Sequence, residues 1–125
     1  MGEPDLISRT AITILLFTVY VITSSTGLLL FKHHWPNLAH ALSRGNALGQ
    51  SIVGPLAGVV LYATSFLLWL AIVSRMPLTI AYPIAIGLSL VAVMLGAAYW
   101  LGEALNATHI AGALLVFAGV VLLTR

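Results

Sequence analysis

The chain of 125 residues contains no cysteine, so it has no disulfide, no thiolate metal ligand and no thiol nucleophile. It is also poor in charge: 6% of its residues are charged, whereas a soluble domain has about 25%. Three acidic and five basic residues are too few to form a nucleic-acid-binding patch, despite a pI of 9.4. The sequence has no phosphate-binding glycine loop, nucleophile elbow or paired carboxylates. We therefore expect no catalytic residue, no cofactor, no metal site and no nucleic-acid partner.

Long hydrophobic runs take up most of the sequence. Hydrophobic residues make up 61% of the chain, and its mean hydropathy is +1.10. A helix that crosses a bilayer needs about 20 mainly apolar residues. Charged residues lie only at or beyond the ends of the runs, as the cost of a charge in hydrocarbon requires. The sequence predicts an all-α membrane protein with one domain, 1–125, of four transmembrane helices. The predicted spans are residues 10–31, 52–73, 78–101 and 109–123.

The connections between the spans differ in length. SRMP at 74–77 predicts a tight turn, and its proline suits the first position of the next helix. GEALNATH at 102–109 offers Asn106 or Thr108 as a cap for the last helix. The first connection, 32–51, mixes apolar residues with histidines, which predicts either a short interfacial helix or a flexible loop.

The basic residues give a weak indication of orientation. Three lie on the face that holds both termini and the second connection, and two lie on the opposite face. They are Arg9, Arg75 and Arg125 on the first face, and Lys32 and Arg44 on the second. The bias mildly favours cytoplasmic termini and permits insertion in both directions. The N-terminus lacks a basic segment before the first run, which favours a retained span over a cleaved signal peptide.

Small and polar residues identify the faces on which these helices pack. Gly112 and Gly119 lie seven residues apart on nearly one face of the last span, which suggests a dimer interface or packing within one chain. Pro83 should kink the third span, and Gly87 follows four residues later. This pair predicts either a hinge or a static kink.

The first span carries a run of hydroxyl side chains at a depth where a carboxylate could bind a proton or a cation. Thr23, Ser24, Ser25 and Thr26 are consecutive, and the span contains no acid. Hydroxyls at membrane depth can bind a neutral polar or sugar-like head group, or donate back to their own helical turn. Trp69 lies deep enough in the second span to line a cavity, although an aromatic belt is the alternative.

Charged and titratable residues near the span ends offer two further candidates for functional groups. His33, His34 and His40 in the first connection form either an interfacial cluster that contacts lipid phosphates or a solvated loop. No carboxylate accompanies them, which argues against a metal site. Glu103 lies at a span end, where ordering the turn is favoured over titration during transport.

Several short motifs resemble the small multidrug resistance family of the drug/metabolite transporter superfamily. They are TSF at 64–66, IAY at 80–82, GE at 102–103, TGLLLFK at 26–32, and the glycines of the second half. The resemblance covers nearly the whole chain except the first connection. It implies a multi-pass protein of the inner membrane that alternates access to a central site. It also implies a homodimer or a heterodimer with a similar four-helix chain.

The chain departs from the exporting members at two positions. Ser24 stands where the resemblance places a proton- and cation-binding glutamate, and Ala85 stands where such members carry a tryptophan; Tyr82 is retained. Serine has no titratable state near neutral pH, and alanine offers no cation–π attraction. The pattern is closer to subunits that flip undecaprenyl-phosphate-linked aminoarabinose. The predicted substrate-binding residues are Thr23, Ser24, Ser25, Trp69, Tyr82 and Ala85.

The sequence thus favours a dimeric transporter of a lipid-linked or amphipathic substrate, with membrane lipid as its partner. Two alternatives stay open. One is a small-cation or drug exporter that works with a glutamate-bearing partner chain. The other is a non-transporting membrane subunit that packs against a larger enzyme.

Overall fold

The computed structural model describes residues 2–46 and 49–125. Over those residues the chain forms four α-helices, one short 3₁₀ helix and no strand. The helices are α1 (Glu3–Ser43), α2 (Val53–Val73), α3 (Leu78–Trp100) and α4 (Ala107–Leu123), and the 3₁₀ helix (Gln50–Ile52) leads into α2. The predicted all-α class is confirmed.

Three of these helical segments are long and apolar enough to cross a membrane: Glu3–Ser43, Gln50–Val73 and Leu78–Trp100. The fourth, Ala107–Leu123, is apolar but has 17 residues, which is the short end of the spanning range. The protein is therefore a multi-pass α-helical membrane protein. Most of its large apolar side chains are exposed, as expected for surfaces that face lipid.

The first helix is much longer than its predicted span. At 41 residues, α1 has a length of about 60 Å, twice the thickness of a bilayer's hydrocarbon core. The separate interfacial helix or loop expected after residue 31 is replaced, up to Ser43, by a continuous extension of α1. Hydropathy falls at Lys32, whereas helical hydrogen bonding continues, because a helix does not need an apolar surrounding to keep its backbone hydrogen bonds. Pro36 lies within the extension without ending it, while Ala47 and Leu48 of the predicted connection lie outside the described residues.

Glycines set the closest helix crossing in the bundle. Helix α2 runs antiparallel to α1, and the two backbones meet at Gly27 and Gly58. A Cβ at Gly27 would lie 2.8 Å from the Gly58 carbonyl oxygen, which no side chain tolerates. Helix α3 runs parallel to α1 and brings Gly96 against the side chain of Leu29.

The buried core lies toward the end of the bundle that holds the chain termini. Phe17 of α1, Ile72 of α2, and Ala81 and Ala85 of α3 form one buried apolar cluster. The two alanines let α3 approach closely, because small residues shorten the distance between helix axes. The core thus joins α1, α2 and α3 into a unit that leaves α4 outside.

Helix α4 packs on α3 alone among the described helices. None of its residues is buried. Val120 approaches Gly87 closely enough that a Cβ there would lie 3.2 Å from Val120 Cγ2. Most of the α4 surface is therefore available to lipid or to another chain.

The two later connections match their sequence patterns. Ser74–Pro77 forms the tight turn between α2 and α3, and Pro77 occupies the N-cap of α3, just before the first helical position that we expected. Asn106 takes the N-cap of α4, and its backbone N–H donates to His109 Nδ1 at 3.3 Å. Gly102 has a φ of 69°, which glycine adopts without strain.

Candidate functional site

An aromatic row runs across the bundle next to the buried apolar cluster. The ring of Tyr20 on α1 lies 5.6 Å from that of Trp69 on α2, and Trp69 lies 6.0 Å from Tyr82 on α3. Tyr20 and Trp69 are half-buried, whereas Tyr82 is 56% exposed. The row therefore leads from the interior of the bundle to an open side that α4 does not cover. Two predicted site residues, Trp69 and Tyr82, are brought together here.

Hydroxyl groups lie one to two helical turns from this row. Ser24 and Ser25 of α1 and Ser65 of α2 are all buried, with exposed fractions of 7%, 5% and 3%. Serine is small enough to lie at close contacts between membrane helices, where it also places a hydroxyl inside the bundle. Ser65 was not predicted as a site residue, although it lies in the TSF motif on which the family resemblance rests.

Some of these hydroxyls donate back to their own helix. Thr23 donates to the Val19 carbonyl at 2.6 Å, Ser65 to the Tyr62 carbonyl at 2.6 Å, and Ser24 more weakly to the Val21 carbonyl at 3.3 Å. Each such hydroxyl keeps acceptor capacity for a second hydrogen bond. The two interpretations of the serine and threonine run, local bonding and head-group recognition, are therefore compatible.

Two buried hydroxyls in the described part of the chain make no hydrogen bond of ordinary geometry. Among residues 2–46 and 49–125, Ser25 Oγ and Ser89 Oγ are buried side-chain atoms without a hydrogen bond. Ser89 lies on α3, and its Oγ is close to the hydroxyl of Tyr20, which is a candidate hydrogen-bond partner. A buried hydroxyl without a partner is destabilising by about 1–3 kcal/mol. Such groups need an explanation, and a bound polar ligand is one.

The predicted hinge residues lie next to this region. Pro83 lies inside α3, one residue after Tyr82, and Ala85 is buried in the core at 3% exposure. Gly87 is buried where α3 meets Val120 of α4. Alanine at position 85 therefore fills a packing position, and a tryptophan there would collide with α1 and α2 as they are arranged here.

The two glycines of α4 face open space. A Cβ at Gly112 or at Gly119 would meet no atom within 4 Å among the described residues. Packing within one chain is thus absent at these two positions in the described structure. A dimer interface on this face stays a prediction.

A charged pair closes the end of the bundle opposite the termini. Lys32 Nζ at the membrane end of α1 donates to Glu103 Oε1 in the connection between α3 and α4. Beside it, the ring of His33 stacks on Trp100 with centroids 5.3 Å apart. Both residues of the ion pair were recognised singly in the sequence, but their contact was not predicted. No local pattern gives it, because 71 residues separate the two.

A groove between α3 and α4 opens next to this pair. Its volume is about 490 Å³, and its floor is apolar, with Leu90, Met94 and Val116 among its lining. Its polar lining is confined to the end near the connection. Those polar residues are Glu103, Thr108 and His109. The groove therefore combines an apolar trough with a polar rim next to the charged pair.

A second polar concavity lies farther along the extension of α1. His34, Asn37 and His40 line it with Gln50 and Ser51, and its volume is about 360 Å³. His34 Nδ1 lies 2.9 Å from the Leu30 carbonyl, so the ring is fixed with Nε2 directed away from it. Within the described ranges, no three histidine or acidic side chains are grouped so that they could hold a metal ion.

Together these features define a small multi-pass membrane protein whose bundle is open on one side and lined by hydroxyl and aromatic groups. A curated relative shows a more particular similarity. The chain is 42% identical over 67 residues to a probable 4-amino-4-deoxy-L-arabinose-phosphoundecaprenol flippase subunit, ArnF, from Shewanella sediminis. The match covers 52% of this chain and 46% of the relative, so the chain spans about half the length of the curated relative it matches.

This match confirms the predicted resemblance to aminoarabinose flippase subunits. A flippase subunit is a transport protein and not an enzyme, which agrees with the prediction that this chain is not an enzyme. No family model matches the sequence. No solved structure matches it either.

Proposed function

We propose that this chain is a subunit of an inner-membrane flippase that moves a polyprenyl-phosphate-linked sugar between leaflets. The observation that carries the proposal is the 42% identity to a subunit named for such a lipid. The relative's name also calls it a subunit, which supports a partner chain. The open bundle with its row of hydroxyl and aromatic groups is the structural feature that suits this substrate.

The proposed substrate has an apolar tail and a polar head group, which suits a helix bundle that is open on one side. A polyprenyl tail is apolar and can stay in the bilayer while the head group crosses. Only the head group then needs polar contacts, and Ser24, Ser25 and Ser89 can offer them at membrane depth. Tyr20, Trp69 and Tyr82 add flat surfaces for a sugar ring. Without a carboxylate in the spans, proton exchange by this chain is not part of the mechanism.

Alternating access is proposed to occur in a dimer. One copy leaves Tyr82 exposed and α4 without buried residues, so a second four-helix chain is needed to enclose the substrate. The glycine face of α4, Gly112 and Gly119, is the proposed contact. Bending at Pro83 would then expose the site to either leaflet in turn.

Reconstitution in liposomes tests the proposal. The purified protein is inserted into vesicles that contain a fluorescent polyprenyl-phosphate sugar, and an impermeant quencher reports how much of the lipid has changed leaflet. We expect transfer by the unaltered protein and its loss in Ser24→Leu, because leucine removes the hydroxyl and occupies the space beside the other buried serines. Ser43→Leu, an exposed change at the end of α1 outside the spans, is the matched control.

Each outcome has a distinct meaning. Transfer that survives Ser24→Leu would place the head-group path elsewhere. No transfer by the chain alone calls for the same assay with a co-expressed second four-helix chain. If that also fails, a non-transporting subunit becomes the better explanation, and co-purification with a sugar-lipid enzyme at equal stoichiometry would establish it.

A further inference from the structure

We propose that the Lys32–Glu103 pair is the head-group site at the membrane surface, at which Glu103 binds the amine of an amino-sugar phosphodiester lipid and Lys32 binds its phosphate. This inference rests on the proposed function and deepens it by naming the part of the substrate that each side chain recognises. The pair lies at the bundle end opposite the termini, away from the buried hydroxyls of Ser24 and Ser25.

The charges of the pair are complementary to those of the lipid. A sugar joined to a polyprenol through one phosphate carries a negative phosphodiester, and a primary amine on the ring carries a positive charge near neutral pH. Such a head group is a zwitterion with a sugar ring between its charges. An acid and a base side by side on the protein match it, because each can exchange its protein partner for the opposite end of the ligand.

The pair is placed where a lipid head group would be. Lys32 follows the last residue of the first predicted span, and Glu103 lies in the connection just after α3. Glu103 also lines the rim of the α3–α4 groove, whose floor is apolar. A lipid with its tail in that trough would therefore present its head group to Glu103 first.

The pair is able to open. The side chains of Lys32 and Glu103 are 58% and 44% exposed, so water screens their attraction, and exposed ion pairs contribute little to stability. No other acidic side chain lies near the membrane on this face, because Glu3 and Asp5 are at the opposite end of α1. Recognition of a cationic amine at this surface thus depends on Glu103.

Nearby groups extend the site. Thr108 and His109 stand on the same rim as Glu103 and can donate to or accept from sugar hydroxyls. Trp100, stacked on His33 next to Lys32, presents a ring that is 44% exposed. A sugar face can pack on such a ring while its substituents reach the charged pair.

A competition experiment by native mass spectrometry tests the assignment. The protein in detergent micelles receives equal amounts of two short-chain polyprenyl phosphates, one with a 4-amino-arabinose head and one with the corresponding arabinose. The ratio of the two bound lipids measures recognition of the amine directly. We expect the unaltered protein to favour the amine-bearing lipid about tenfold, as one charge-assisted hydrogen bond allows.

The variants separate the two roles. Glu103→Gln should bring the ratio close to one, whereas Lys32→Gln should lower the occupancy of both lipids and leave the ratio unchanged. The reversed pair, Lys32→Glu with Glu103→Lys, keeps a link between α1 and the connection but moves the carboxylate off the groove rim. It should stay folded in a thermal unfolding assay and lose the preference.

Several results would overturn this inference. They are a preference that persists in Glu103→Gln or in the reversed pair, equal binding of both lipids by the unaltered protein, and equally strong binding of phosphatidylethanolamine, another amine-bearing phosphodiester lipid. Equal binding of the two polyprenyl lipids would leave the flippase proposal standing. Failure to bind either of them would contradict both proposals.

Discussion

Gly27 of α1 and Gly58 of α2 form a mutual backbone contact. A Cβ on Gly58 would lie 2.6 Å from the Gly27 carbonyl oxygen, and one on Gly27 would lie 2.8 Å from the Gly58 carbonyl oxygen. The obstructing atoms are backbone atoms, so no side chain can rotate away. The two glycines therefore fix how closely α1 and α2 approach, and with it the width of the layer that contains Ser24 and Ser65.

Replacing either glycine should separate the two helices. We expect Gly27→Ala or Gly58→Ala to lower the free energy of unfolding by about 1–3 kcal/mol, the usual cost of overpacking. Unfolding in mixed detergent micelles, followed by circular dichroism, measures the loss. Gly49→Ala is the control, because a Cβ there meets nothing within 4 Å. Equal stability of all three variants would show that the crossing is not tight.

The hydroxyl of Ser89 should act in transport without stabilising the fold. Since its Oγ makes no hydrogen bond of ordinary geometry in the described structure, although the Tyr20 hydroxyl is near, Ser89→Ala removes a polar group that the protein satisfies poorly. We expect unchanged or slightly raised thermal stability and at least a severalfold slower lipid transfer. Thr64→Ala is the matched control, because its hydroxyl is exposed and donates to the Val60 carbonyl. Similar transfer rates in both variants would argue against a ligand role for Ser89.

The bend at Pro83 should govern the rate of exchange between leaflets. Pro83→Ala restores a backbone N–H inside α3, so the helix should straighten and stiffen. We expect slower lipid transfer with binding of the lipid retained. Pro36→Ala provides a control, since Pro36 also lies inside a helix but beyond the predicted first span. A static kink would predict equal transfer by the two variants.

Bulk on the glycine face of α4 should weaken association. Gly119→Leu fills open space in one chain and lies outside the α3–α4 groove that Gly112 lines, so the single chain should keep its fold. If two chains meet on this face, their association should weaken at least about tenfold, or about 1.4 kcal/mol. Energy transfer between labelled chains in liposomes reports this change. Val121→Phe adds bulk on the opposite side of α4 and should leave association intact.

The sequence by itself determined the class of the protein and the positions of three of its four helices. Long runs without charge can satisfy their backbone groups in lipid only as helices, so hydropathy alone located α2, α3 and α4 within about two residues at each end. Asn106, one of the two predicted caps, is the observed N-cap of α4, and Pro77 lies one residue before the helical position at which it was expected. Capping residues act on backbone groups within a few residues of the helix end, so the local sequence is enough to predict them.

The sequence misplaced the end of α1, because hydropathy marks the edge of the membrane and not the end of a helix. It identified Ser24, Trp69 and Tyr82 singly, and only the packing of three helices brought an aromatic row together beside buried serines. The Gly27–Gly58 contact and the Lys32–Glu103 pair likewise join distant parts of the chain. Such contacts depend on how helices cross and which faces meet, and no local pattern of residues contains that information.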